Sequence, residues 1–289
     1  MNAEQAVDVI NGVFGRHDGH RALHAKGTLC KGTYTASPDA ASLTRAQHMQ
    51  GEPVDVTVRF SNGSGNPRQP DYAPDVRGLA VKFYLPDGSR TDIVAQSSPR
   101  FPTRTPEGFI EFMQAQKSPW RLPVFFARHP EALKAVPVSA PSLRPPPSYA
   151  AVPYYGTHAF KWIAADGTER FVRYKWVPLQ EGGRRRRERD YLQQELRERL
   201  EAEPIRFRLE LQVAMPGDPT DDPSAVWPSS RWRVDAGTLE VTGLETERET
   251  GGDVLVFDPT RITDGIDLSG DPVLRFRRDA YSASVARRT

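Results

Sequence analysis

The apolar pattern predicts an α+β protein built on an antiparallel, closed β-barrel with helical insertions. Three observations carry that expectation. Several short runs alternate apolar and polar residues with the period of a half-buried strand. Turn signals such as Asp87-Gly88 and Asp166-Gly167 join neighbouring runs. Strand and helix signals do not alternate regularly, as a parallel sheet with crossover helices would require.

Each element has a local justification. Residues 3–14 place Val7, Ile10, Val13 and Phe14 on one helical face. Lys26–Ala36, rich in Thr, Gly and Tyr, reads as a strand. Val54–Ser61 sets Val54, Val56, Val58 and Phe60 on one face of another. Leu79–Leu85 and Asp92–Gln96 read as two strands around the Pro86-Asp87-Gly88 turn. Over Thr105–Gln116, Thr105 caps a helix, Pro106 suits its first position, and Phe109, Phe112 and Met113 form a stripe. The prolines at 137, 141, 145, 146, 147 and 153 predict an extended crossing over 136–153 rather than a regular element. Ala159–Ile163 and Phe171–Val177 form a hairpin. Leu192, Leu196 and Leu200 mark a charged helix after Arg184–Arg187. Ile205–Val213 alternates strictly, and Trp232–Thr242 and Asp253–Phe257 continue the sheet. With no repeat and no linker, a single domain over 1–289 is expected.

Composition narrows the function classes. With 39 basic and 37 acidic side chains, no nucleic-acid partner is implied. No apolar run approaches the roughly 20 residues of a membrane span, so no membrane partner is expected. The N-terminal residues show no secretory signal. Cys30 is the only cysteine, which excludes an intrachain disulfide and a multi-cysteine metal site. A cytoplasmic location is the simplest reading.

The end of the chain points to chemistry. Tyr281 lies four residues after Arg277, so phenol and guanidinium share a helix face. An unperturbed phenol titrates near ~10 and needs a permanent cation to ionise at neutral pH. A tyrosinate is a hard oxygen ligand suited to ferric iron. His17, His20, His48 and His129 have no partners at metal-ligand spacing and read as surface groups. Cys30 reads as a small buried or edge residue.

Six blocks resemble the haem catalase superfamily in order. They are Arg21-Ala22-Leu23-His24-Ala25-Lys26-Gly27, Val58-Arg59-Phe60-Ser61, and Asp75 to Tyr84. Tyr155-Gly156-Thr157-His158-Ala159-Phe160-Lys161, Phe257-Asp258-Pro259 with Gly265-Ile266, and Arg277-x-x-x-Tyr281 follow. The length resembles that of the short catalase-related peroxidases, which keep the haem-binding barrel core. The resemblance implies a barrel of catalase type with a C-terminal haem-ligating helix and a ferric haem b cofactor. It implies that Tyr281 is the axial iron ligand, Arg277 its cation, His24 the distal acid–base and Ser61 its hydrogen-bonded orienter. It implies that Arg21, Arg59 and Arg288 bind the haem propionates and that Phe109 packs over the porphyrin. His158 is expected to make a structural hydrogen bond.

Catalases carry a distal asparagine where Gln96 or Ser97 stands here. The expected activity is therefore reduction of organic hydroperoxides, and of hydrogen peroxide, by an organic electron donor. Alternatives are true catalase dismutation, a fatty-acid hydroperoxide isomerase resembling allene oxide synthase, and a non-enzymatic haem carrier or sensor. Leu23 stands where the isomerases carry threonine, which counts against the second. A homodimer is the expected assembly.

Overall fold

The computed structural model describes residues 1–118, 120–183, 186–246 and 254–287. Its strands are β1 (Gly27–Ala36), β2 (Val54–Asn62), β3 (Arg77–Tyr84), β4 (Arg90–Gln96) and β5 (Tyr154–Tyr155). They continue with β6 (Phe160–Ile163), β7 (Glu169–Pro178), β8 (Ile205–Val213), β9 (Arg233–Leu244) and β10 (Ile266–Leu268). The hydrogen-bonded order is β10-β6-β7-β5-β4-β3-β2-β1-β9-β8, and β8 also pairs with β7. Eight strands from β7 to β8 thus close an antiparallel barrel, which leaves no edge within that ring. The helices are α1 (Ala3–Phe14), α2 (Pro38–Ala41), α3 (Pro106–Ala115), α4 (Arg121–Arg128), α5 (Pro130–Ser139), α6 (Tyr191–Ala202) and α7 (Pro272–Ala286). Among the described residues, no helix is long and apolar enough to cross a membrane.

Strand parity decides what faces the core. Val56, Val58 and Phe60 of β2 pair with Phe83, Val81 and Leu79 of β3, and all six are buried in the barrel. Tyr34 stands edge-on to Phe83 and Trp176, with ring centroids 5.3 and 6.0 Å away. Such close-packed rings supply much of the apolar burial. The intervening residues point outward. Ser61 pairs with Gly78, and Gly78 with Gln96, so one outer row crosses β2, β3 and β4. Helices α1, α3 and α7 pack against one another.

Two expected elements differ. Residues 136–139 belong to α5, which holds Pro137 inside it, and 140–143 and 149–151 form 3₁₀ turns. The proline costs the helix one hydrogen bond, and Ala132 and Ala135, both buried, hold the helix by packing. Residues 254–257 join no ladder; Leu255 and Phe257 instead cover the outer side chains Leu29, Ala80 and Val94. Alternation there reports burial on the barrel's outside, not strand pairing. Asp253 lies outside the described residues.

Candidate active site

The segment before β1 brings His24 onto the outer row. His24 is the one non-glycine residue with positive φ among those described, at 54°. That left-handed conformation costs free energy and persists only where neighbours enforce it. Here they do so from both sides. The His24 N–H donates to Gly63 O at 3.0 Å, and Arg59 donates to His24 O at 2.9 Å. The imidazole Nδ1 lies 3.0 Å from Ser61 Oγ, in a hydrogen bond. Gly78 makes the approach possible: a Cβ there would sit 2.6 Å from Ser61 Oγ and 2.7 Å from His24 Nδ1. Gly27 does the same for Arg59, whose guanidinium carbon would lie 2.5 Å from an added Cβ.

The electrostatics follow from this packing. Desolvation, then the guanidiniums of Arg59, Arg277 and Arg21, push the His24 pKa down to about 3. The ring is therefore neutral at physiological pH. Arg21 itself donates to Leu255 O at 2.6 Å, which ties it to the segment covering the outer face.

Helix α7 brings the second group. Asp271 caps it, accepting from the N–H groups of Val273 and Leu274. Six residues on, Arg277 Nη1 donates to Tyr281 Oη at 2.9 Å, so the predicted pair is formed. Asp271 also takes His158 Nδ1 at 2.6 Å. Burial and the Arg277 charge lower the His158 pKa, against the pull of Asp271. His158 Nε2 is buried with no hydrogen-bond partner. Arg277 thus acts electrostatically on both His24 and His158 while it holds the Tyr281 phenol.

Phe109, on α3, reaches the same region through Phe101. Their ring centroids are 4.9 Å apart, and Arg277 Cζ lies 5.7 Å from the Phe101 ring. Leu23, Phe109 and Phe276 pack around one apolar cluster with Ala6, Ile10 and Ile110. His24, Ser61, Arg21, Arg59, Phe109, Arg277 and Tyr281 are therefore brought together. Arg288 lies outside the described residues.

Phe101, Gly27, Gly78, Leu255 and the His158–Asp271 pair emerge only in three dimensions. The one local signal among them was Asp271-Pro272 before a helical run, a capping pattern. Other expectations need correction. His48 is not a surface group: it is 1% exposed, its ring tilted against Phe83 with centroids 4.9 Å apart and Nδ1 unsatisfied. His129 is half-buried, with ring nitrogens 3.1 and 3.3 Å from Glu111 and Glu131. Cys30, by contrast, is buried as expected, paired with Val58 on the inner face, opposite the His24 side. Of Gln96 and Ser97, only Gln96 lies in the His24 row. Ser97 falls on the other parity, and its Oγ accepts from the Arg77 N–H at 2.9 Å. Among the described residues, no cluster of His, Cys, Asp or Glu forms a metal site.

The comparisons with known proteins agree with this geometry. A family model described as catalase matches residues 17–289. A catalase-related peroxidase of Mycolicibacterium paratuberculosis is 50% identical over 100% of this chain and 95% of its own length. Another from Synechococcus elongatus is 34% identical over 100% of this chain and 89% of its own. A catalase of Latilactobacillus sakei is 26% identical, with 90% of this chain matched to 60% of the longer protein. A solved bacterial catalase superposes with a TM-score of 0.83 at 23% identity, over 94% of this chain and 58% of that one. The match runs from before His24 through the helix that carries Tyr281, and the chain belongs to the catalase family.

Proposed function

We propose that this chain is a haem peroxidase that reduces organic hydroperoxides, and hydrogen peroxide, with an organic electron donor. The observation that carries the reading is the neutral His24 imidazole, held by Ser61 at 3.0 Å and within the electrostatic reach of Arg277, the residue that donates to Tyr281. A carrier needs no such acid–base group.

The catalase family implies haem, and the residues present fit one. Gly27 and Gly78 keep the outer row low beneath His24. Leu23, Phe109 and Phe276 offer apolar surface for a flat macrocycle. The Tyr281 phenol has a guanidinium at hydrogen-bond distance. In this reading Tyr281 would hold the iron of a b-type haem through its phenol oxygen, with Arg277 donating to that oxygen. Arg21, Arg59 and Arg288 would hold the propionates, and Phe109 would offer apolar surface to the macrocycle. When bound, the haem supplies ferric iron and the capacity to accept and pass electrons.

The chain's own residues handle protons and position. Ser61 occupies Nδ1 of His24, so proton transfer falls to Nε2. There His24 takes a proton from the near oxygen of the peroxide and returns it to the departing oxygen as the O–O bond breaks. Two electrons and two protons from the organic donor complete the balance, giving an alcohol and water. The chain acts as one catalase-core domain, as a homodimer, in the cytoplasm.

The test is comparative. With tert-butyl or cumene hydroperoxide and an aromatic reductant, the purified holoprotein turns over, and it evolves oxygen from hydrogen peroxide only weakly. Rapid oxygen evolution with no turnover of organic hydroperoxide would make the chain a true catalase instead.

A further inference from the structure

Helices α4 and α5 carry apolar side chains on both sides. Inward, Phe125 and Ala132 pack with Ala115 of α3, with Leu122 and Phe126 around them. Outward, Trp120 is 86% exposed, and Val124, Leu133 and Val136 are exposed as well. Trp120 and Val124 are four residues apart, and Leu133 and Val136 three, so each pair forms a stripe. Both helices turn buried side chains to one cluster, and each carries an exposed apolar pair besides. Exposed large apolar side chains gathered on two adjoining helices mark an interaction surface more readily than single scattered ones do.

The charges around it are one-sided. Between 120 and 138 stand Arg121, Arg128 and Lys134, all exposed, against Glu131 alone. Glu131, and Glu111 from α3, are held by His129 at 3.3 and 3.1 Å, so that imidazole occupies both nearby carboxylates. The chain as a whole is nearly balanced, 39 basic to 37 acidic, so this local excess is distinctive.

We propose that this face docks on an anionic phospholipid bilayer. A tryptophan flanked by cationic side chains beside an apolar stripe suits the headgroup boundary of a membrane. Guanidiniums and an ammonium attract anionic headgroups, while their stems extend the apolar contact. A second copy of the chain fits less well, because a two-fold contact would set these cations against their own images. The expectation of no membrane partner rested on the lack of a spanning segment, and peripheral docking needs none. The face also lies one helix from the candidate site. Helix α3 turns Phe112 and Ala115 to α4 and α5, and Phe109 toward Phe101. The docking surface stands on its own, whether or not the peroxidase reading holds. Lipid hydroperoxides dissolved in the bilayer would be the substrates it brings near.

Sedimentation of the holoprotein with vesicles tests it. Vesicles of phosphatidylglycerol and phosphatidylcholine should bind at least about tenfold better than phosphatidylcholine alone, and raising salt from about 0.1 to about 0.5 M should reverse most of that gain. Tryptophan fluorescence should shift to the blue on anionic vesicles, and Trp120→Phe should remove the shift. The triple variant Arg121→Glu, Arg128→Glu, Lys134→Glu should lose binding by about tenfold or more with its haem spectrum intact. Should that variant misfold, the lipid and salt dependence of the parent protein decides. Equal binding to neutral and anionic vesicles, no binding to either, or undiminished binding by the folded variants would overturn the proposal. So would self-association in the ultracentrifuge, abolished by these substitutions, without vesicle binding.

Discussion

His24 illustrates how much one residue depends on its neighbours. Its backbone sits at φ 54°, and Gly63 and Arg59 hold it there through its own N–H and C=O. Its ring rests where Gly78 provides no side chain. His24→Ala should keep haem but react with peroxide about 10²–10⁴-fold more slowly, the usual worth of a positioned acid–base. A stopped-flow rate within threefold of the parent would remove His24 from the proton path. Arg277→Leu should remove the guanidinium that donates to the Tyr281 phenol oxygen and weaken haem retention. A variant with the parent's haem content and unchanged ligand-sensitive haem bands would contradict that role. Gln96 and Ser97 can be separated. Gln96→Asn lies in the His24 row and should raise oxygen evolution more than peroxidase turnover. Ser97→Asn, on the other face, should give no such gain and should lower stability by about 1–3 kcal/mol through the lost Arg77 contact.

At the scale of elements, α7 and the strands it covers depend on Asp271. One carboxylate caps the helix through two N–H groups and binds the buried His158. Asp271→Ala should cost about 2–4 kcal/mol, a cap plus an orphaned buried donor. A urea titration reads this directly, and a loss below about 0.5 kcal/mol would show that the cap is dispensable. The same helix delivers Arg277 and Tyr281, so the variant should also bind haem less tightly. Gly78 plays the equivalent part in β3: its missing Cβ, more than any side chain, lets the His24 segment approach Ser61.

The whole molecule should be acid-sensitive for a reason built into its core. Burial lowers the His48 pKa to about 3 from 6.5, and burial and Arg277 lower that of His158. Below pH 6.5 the unfolded chain takes up protons at these rings while the folded chain does not. Stability is thus unaffected above that point and falls as pH falls toward the folded pKa. Between about pH 7 and about pH 5, His48 alone should cost about 2 kcal/mol. His48→Phe, beside Phe83, should flatten that part of the profile in denaturant titrations. An unaltered slope would mean that His48 does not remain neutral in the fold.

The sequence by itself determined what is local. The α1 and α3 faces, the alternation of β2 and β8, and the Thr105 cap all follow from neighbours a few residues apart. The Arg277–Tyr281 contact belongs here too, since four residues on a helix suffice to make it. Motif resemblance extended the reading to His24 and Ser61, which periodicity alone does not join. Only the tertiary structure decided which face each strand residue takes. A shift of one residue in register exchanges the two faces, and that separates Gln96 from Ser97. Closure of the barrel decided that His48 is buried and that Cys30 faces away from His24. Segments far apart in the chain decided the rest: residues 254–257 cover the outer face without pairing, and Asp271 reaches His158 across 113 residues. Such contacts depend on loop closure and packing between distant segments, and no local pattern encodes them.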